Sequence, residues 1–370
     1  MDRLLSHLEK LSRRDFLKTF SLGFLTLGLS KLPFSTDIGG QFDFPTNASV
    51  LNKSLKLSSQ AEVDSGVFGR VVQSGVGLFD TPSFSGKQLK TLWTDVVMPI
   101  TDITVGDNVP TYNRVWYNLD RQGYVHSGVV QPVQVHTNTP ESEIPPAGRL
   151  GEVTVPFTDA RWWAASQDAT AYRLYYATTH WVTGLTSDDS GLPLYKLYDN
   201  LIKRSYYIPA KHMRLVPSSE LLPISSSIPP EAKRIEVHLA EQVIIAYEYD
   251  RPVFMARAAT GAHFSNGIFS TPTGPRTVLY KSPTHHMASN NLASSNSYDL
   301  PGVPWISYIT EDGLAFHGTY WHNDFGKPRS HGCINLSPQA SHWVYLWTTP
   351  VVPPDISLSF DPGGTAINVI

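Results

Sequence analysis

In the last third of the chain apolar and polar residues alternate with a period of two: Ile235, Val237 and Leu239 fall on one side, Glu236 and His238 on the other. An extended backbone points successive side chains to opposite faces, so this pattern predicts a half-buried strand. VIIAYEY and PVFMARAAT continue as strands, and FSTPTGPRTVLY gives a turn followed by another. The one convincing helical pattern is SPQASHWVYLWT. There Ser337 suits an N-cap, Pro338 suits the first helical position, and Trp343, Leu346 and Trp347 fall on one face.

Shorter apolar runs fill the region before it. Between Val67 and His136 they read RVV, TLWTDVVMPI, ITV, RVWYNL and GYVHSGVV, separated by Gly, Asp, Asn and Pro, as in a small antiparallel barrel. This region nears its end with Trp116 and Tyr117, a polar turn, and Gly123, Tyr124 and Val125, an ending that resembles bacterial SH3-like domains. Residues 151–216 repeat the plan at an offset of about 82 residues. Tyr195, Leu197 and Tyr198 precede a polar turn there, and Tyr206, Tyr207 and Ile208 form the closing strand. We read each of these aromatic residues as core filler before reading it as part of a groove for wall peptide or glycan.

Pro140, Pro145 and Pro146 stiffen a linker at 137–150, and Pro217, Pro223, Pro229 and Pro230 mark a second at 217–232. A third domain spans 233–353, and 354–370 is expected to be a tail. The fold class is therefore mainly β, with two small SH3-like barrels before a β-rich domain containing few helices.

Residues 1–35 read as a targeting segment, with SRRDFLK at 12–18 and an apolar run from Phe20 to Leu29. A basic stretch followed by an apolar run of about 7 to 15 residues has the layout of a twin-arginine export signal. The run is too short to span a bilayer, which takes about 20 apolar residues. A Ser-, Asn- and Gly-rich tether follows at 36–66. Membrane contact is expected only through an uncleaved signal, with the rest of the chain outside the cytoplasmic membrane.

Charged residues make up 16% of the chain and the formal net charge is −3, so no basic face for nucleic acid is expected. With one cysteine, Cys333, no internal disulfide can form. A lone thiol in an exported chain points to reactivity. It sits in HGTYWHNDFGKPRSHGCINL, where His317, His322, His331 and Cys333 fall within seventeen residues.

A thiol becomes a good nucleophile when a base or cation favours the thiolate and backbone donors await the oxyanion. Gly332 lets substrate and backbone N–H groups come close, and His317 ends the apolar strand that begins at Gly313. A zinc site is the competing reading of three His and one Cys. The spacings, however, contain no C-x-x-C or H-x-x-x-H pair.

The third domain resembles the L,D-transpeptidase catalytic domain of the YkuD type. The residues that carry the resemblance are His317-Gly318, then Ser330-His331-Gly332-Cys333-Ile334-Asn335, with Thr271–Gly274, His286-Met287 and Tyr298–Trp305 upstream. It implies Cys333 as nucleophile, His317 as its proton partner, Gly318 orienting that histidine through its carbonyl, and His331 assisting. Backbone N–H groups around Gly332 and Cys333 would form the oxyanion hole. Ser330, Asn335, His322, Tyr308 and His286 are candidates for substrate contact or loop support.

The implied reaction needs no cofactor and no metal. It acts on peptidoglycan stems, a donor tetrapeptide and an acceptor stem, in a monomeric protein. Three alternatives are an L,D-carboxypeptidase using water, a non-catalytic wall-binding protein, and an NlpC-type hydrolase. In the last family the Cys precedes its His, the reverse of the order here.

Overall fold

Two sheets with one and the same strand order precede the third domain. The computed structural model describes residues 67–165, 170–264, 267–289, 297–361 and 363–370, so the expected signal and tether lie outside the described residues. Strands β1 (Val67–Val71), β2 (Val76–Phe79), β3 (Gln88–Leu92), β4 (Val97–Val105), β5 (Val115–Leu119), β6 (Tyr124–His126) and β7 (Val130–Gln134) pair in the order β3-β2-β6-β5-β4-β1-β7. Strands β8 (Arg149–Val153), β9 (Phe157–Arg161), β10 (Thr170–Tyr175), β11 (Thr179–Ser187), β12 (Pro193–Asp199), β13 (Arg204–Pro209) and β14 (Met213–Leu215) pair in the order β10-β9-β13-β12-β11-β8-β14.

Each copy places a 3-10 turn before its last strand, at Ser127–Val129 and at Ala210–His212. Leu78, Ile100, Leu119 and Val125 fill the first unit, and Leu174, Val182, Leu197 and Ile208 fill the second. Trp116, Tyr117, Tyr195 and Tyr206 are buried, while Tyr198 faces solvent.

The Pro/Ser segment at 217–232 does more than separate domains. Leu221 is buried in a cluster with Leu150, Trp181, Trp305 and Tyr345, and Ile224 N–H donates to Leu346 O at 3.1 Å. The segment forms 3-10 turns at Ser218–Leu221 and Pro230–Ala232, and the apolar residues between its prolines have something to bury. The second β unit and the third domain therefore meet here.

In the third domain, β15 (Lys233–His238), β16 (Val243–Glu248), β17 (Arg251–Arg257), β18 (His263–Phe264), β19 (Gly267–Ile268), β20 (Gly274–Thr277), β21 (Tyr280–Ala288), β22 (Asp299–Tyr308), β23 (Ala315–Gly318) and β24 (Ile334–Leu336) are followed by helix α1 (Pro338–Trp347), β25 (Ser359–Phe360) and β26 (Ala366–Val369). Two five-stranded sheets result, β17-β16-β15-β26-β20 and β24-β23-β22-β21-β25. Ile235, Val237, Ile244, Phe316, Ile334, Leu336 and Val344 form one core with Ile367 and Val369.

Two expectations change. The segment at 354–370 is not a tail: β26 lies between β15 and β20, parallel to the first and antiparallel to the second. Its alternation is only four residues long and its partner β15 is remote in sequence, so local pattern gave no signal. Helix α1 starts as expected, with Ser337 Oγ accepting from Ala340 N–H. Its buried residues are Ala340, Ser341, Val344, Tyr345 and Trp347, whereas Trp343 and Leu346 are only half-buried. The helix is apolar on more than one side because it packs on β22 and β23 and also reaches the cluster around Trp181.

Candidate active site

Strands β23 and β24 run parallel, with Phe316 opposite Ile334 and His317 opposite Asn335. Extending this register by one position places Cys333 opposite Ala315, on the face that also carries His317. The two side chains are diagonal neighbours, within reach of an aromatic ring. Parallel neighbours need a long crossover, and the loop from Thr319 to Cys333 supplies it.

His317 is buried, and its Nδ1–H donates to the Gly318 carbonyl at 3.1 Å. That bond fixes the tautomer and leaves the Nε2 lone pair free to accept a proton. Burial pushes the imidazole down to about 4, with the Gly318 bond opposing the shift. A Cβ at Gly318 would lie 2.7 Å from Pro304 Cγ and 2.8 Å from Ser341 Oγ, so packing excludes a side chain there. The expected orienting role of Gly318 is thus present as geometry.

Cys333 keeps partial exposure as a residue, yet its thiol is enclosed enough that burial pushes it up to about 11. The Ala315 N–H opposes that shift and Asp312 adds to it. The S–H donates to the Gly313 carbonyl at 3.7 Å, so in this conformation the proton is held away from His317. Thiol and imidazole are both neutral at pH 7. The arrangement suits transfer of the proton to Nε2 as the sulfur attacks, rather than a preformed ion pair.

The loop carrying the thiol is shaped from both sides. Ser330 Oγ donates to Cys333 O at 2.5 Å and accepts from Gly332 N–H at 3.1 Å. Thr271 Oγ1 donates to Gly332 O at 2.6 Å and accepts from Gly261 N–H at 2.9 Å. Gly332 has φ +120, in the region that favours glycine. One expectation fails here: the Gly332 N–H is already taken by Ser330 and cannot serve the oxyanion. The Cys333 N–H is the remaining donor of that pair.

The other predicted residues separate. His322 is buried, and its Nδ1 accepts from Asp324 N–H at 3.2 Å, which puts its proton on Nε2. The Asn335 side-chain amide lies 3.0 Å from that Nε2, and the oxygen is the amide atom able to receive the proton. His322 and Asn335 therefore brace each other beneath the crossover loop.

His331 is exposed and packs on Phe264 at 4.7 Å, Phe269 at 4.5 Å and Tyr298 at 5.6 Å, so it belongs to an aromatic cluster two residues from the thiol. His286 is remote from these contacts. It bridges Asp199 of β12 (Nδ1–Oδ2 2.7 Å) and Asp299 of β22 (Nε2–Oδ1 2.5 Å), joining the second β unit to the third domain. Tyr308 is buried and stacks on Tyr280 at 4.1 Å. Among the described residues, no group of three or more His, Cys, Asp or Glu is arranged to hold a metal.

Thr271, Tyr280 and Tyr298 were missed as site residues by sequence reasoning. Tyr280, Tyr298 and Tyr308 all lie close enough to the thiol that its charge would raise their ionisation. The signals available were the Thr-Pro-Thr-Gly turn for Thr271 and the Tyr298–Trp305 segment for Tyr298, both of which carry the resemblance without being read as site residues; nothing local marked Tyr280.

A partly enclosed thiol, a tautomer-locked imidazole and a glycine-pinned loop form one candidate site. Residues 232–363 match the YkuD family, the L,D-transpeptidase catalytic domain. The match runs past residue 353 to take in β25 and ends before β26.

Among solved structures, the chain is similar to L,D-transpeptidase 3 from Mycobacterium tuberculosis, with 20% identity over 47% of this chain and 78% of that one (TM-score 0.31). It is similar to an L,D-transpeptidase from Mycobacterium smegmatis, with 18% identity over 65% and 90% (TM-score 0.31). An Enterococcus faecium L,D-transpeptidase gives 21% identity over 38% of this chain, which spans half the length of that structure (TM-score 0.30). No curated protein matches the chain.

Proposed function

We propose that the protein is an exported peptidoglycan L,D-transpeptidase that forms 3-3 cross-links through a Cys333 thioester. The observation that carries this reading is the His317 Nδ1–H bond to Gly318 O, which leaves Nε2 as a base on the strand beside Cys333. Attack of the sulfur on the carbonyl of the third stem residue forms a C–S bond while its proton passes to Nε2. The C–N bond to the terminal D-Ala then breaks, and the departing amine takes the proton from His317. An amine of the acceptor stem attacks the thioester, a new amide forms, and the thiol returns. The oxyanion is met by the Cys333 N–H, since the Gly332 N–H is occupied.

The two repeated β units are read as SH3-like modules of a monomer working outside the cytoplasmic membrane, reached by the twin-arginine route. Incubation with a carbapenem should add one mass adduct to the full chain and none to Cys333→Ala. No adduct on the wild type, or an equal one on the variant, would sink the reading. Disaccharide-tetrapeptide should yield dimer with release of D-Ala. Accumulation of tripeptide alone would assign the acceptor as water and make the enzyme an L,D-carboxypeptidase.

A further inference from the structure

Arg70 is part of the first β unit, yet it is only 2% exposed and its guanidinium reaches out of that unit. Nη1 pairs with Asp95 Oδ1 at 2.9 Å, and Nε and Nη2 donate to Gln131 Oε1 at 3.2 and 2.8 Å. Nη2 also donates to the carbonyl of Tyr320, 250 residues away in the chain, at 2.5 Å. The cation lies 4.1 Å from the centre of the Tyr175 ring of β10, and that ring stacks on Tyr320 at 5.3 Å. One buried cation therefore joins both β units to the crossover loop between His317 and Cys333.

What it holds there matters to the site. The Tyr320 carbonyl belongs to the peptide that leads into Trp321. The Trp321 indole lies 5.7 Å from the His317 ring and stands edge-on to Tyr320 at 5.0 Å. The same loop is held one step further on, where Asn323 N–H donates to Gly128 O at 3.1 Å and Tyr112 OH donates to Asp324 at 2.9 Å. Those contacts fix the far side of the loop. The turn beside His317 is tied within the third domain by Tyr320 OH to Pro301 O at 3.1 Å and Thr319 N–H to Leu336 O at 2.9 Å, and from the first β unit by Arg70. A cation that served its own unit alone would find its partners there, and Asp95 with Gln131 would suffice. The planar fork of an arginine is what allows a carboxylate, an amide and a distant carbonyl to be held together.

We propose that Arg70 is a positioning residue for the Cys333–His317 pair, holding the Tyr320 peptide so that Trp321 keeps the His317 ring in place. This rests on the reading of Cys333 and His317 as the reacting pair. Lysine keeps the charge but loses the fork, so in Arg70→Lys the ring is freed.

In the full chain, the first-order rate of carbapenem acylation at saturation should fall about tenfold or more in Arg70→Lys, with the half-saturating carbapenem concentration little changed. In Arg70→Ala, added methylguanidinium should restore part of that rate. Asp95→Asn loosens the hold on Arg70 without removing it. Asp95 has φ +67, a conformation that Asn tolerates well, so this variant is expected to fold even where Arg70 variants do not. It should show the same effect, smaller.

The readout independent of acylation is the imidazole resonance of His317 in histidine-labelled protein, assigned by its loss in His317→Gln. The Trp321 ring current makes it sensitive to a shift of either ring, and it should move in both Arg70→Lys and Asp95→Asn. Unchanged acylation rate and unchanged resonance in folded variants overturn the proposal. If the wild type itself forms no carbapenem adduct, the catalytic reading fails, and the resonance alone decides this inference.

Discussion

The neutral resting state of the site makes a sharp prediction about the thiol. Burial pushes Cys333 up to about 11 and His317 down to about 4, so no imidazolium is present near pH 7 to draw the thiol into an ion pair. At pH 7 such a thiol is ionised in about one molecule in ten thousand, against about one in a hundred for a thiol at the ordinary value of 9. Alkylation by iodoacetamide, read as mass gain of the intact protein with Cys333→Ala as blank, should therefore rise about tenfold per pH unit from 7 to 9 and show no plateau there. A cysteine paired with a protonated histidine would already react at full rate near pH 6. A plateau at that pH would refute the neutral-pair account. In that account His317 works as a general base during attack, so His317→Ala should leave the alkylation profile nearly unchanged while slowing carbapenem acylation by about 100-fold or more.

Four further outcomes follow from packing and charge. Gly332→Ala forces a side chain into φ +120, a strain of about 1–3 kcal/mol, and should abolish acylation while lowering Tm only modestly. Thr271→Val removes the bond to Gly332 O and should slow acylation in a folded protein, with Thr271→Ser restoring it. Ile367→Ala should cost about 2–4 kcal/mol in denaturant unfolding, because Ile367 is 2% exposed in the core of the third domain; a cost under about 0.5 kcal/mol would contradict its central place. For His286, burial opposes and the Asp199 and Asp299 bonds favour the cation, with a net rise. Its stabilising share is present below about 6.5 and is lost as pH climbs through the raised value, so the Tm gap between wild type and His286→Gln should narrow from pH 6 to pH 9.

How much of this was legible in the sequence depends on whether a role is set by neighbours in the chain or across a sheet. Cys333, Gly332 and Ser330 announced themselves because one short turn needs a positive φ, a hydroxyl two residues before the glycine, and a thiol after it, and His317 stood out at the end of an apolar strand. Gly318 was legible as a carbonyl next to the base. His331 was not, because the direction of its ring depends on where Phe264, Phe269 and Tyr298 stand, and those residues arrive from other strands. The same holds for His286, whose partner Asp199 lies 87 residues away in the second β unit. The strand at 366–369 was missed for a related reason, since a four-residue alternation means nothing until β15 and β20 flank it.

The parallel pairing of β23 and β24 ties these observations to one cause. Two parallel strands that present His317 and Cys333 on one face cannot be joined by a tight turn, so the chain must leave the sheet and return. The excursion from Thr319 to Cys333 would be a long loop with little core of its own. It is held instead by Arg70, Gly128 and Tyr112 of the first β unit and by the His322–Asn335 brace beneath it. The β units are therefore built into the geometry of the site whatever else they bind. The third domain cut free at residue 232 would keep Cys333 and His317 in register and keep the His322–Asn335 brace, but would lose the hold that Arg70, Gly128 and Tyr112 place on the loop between them.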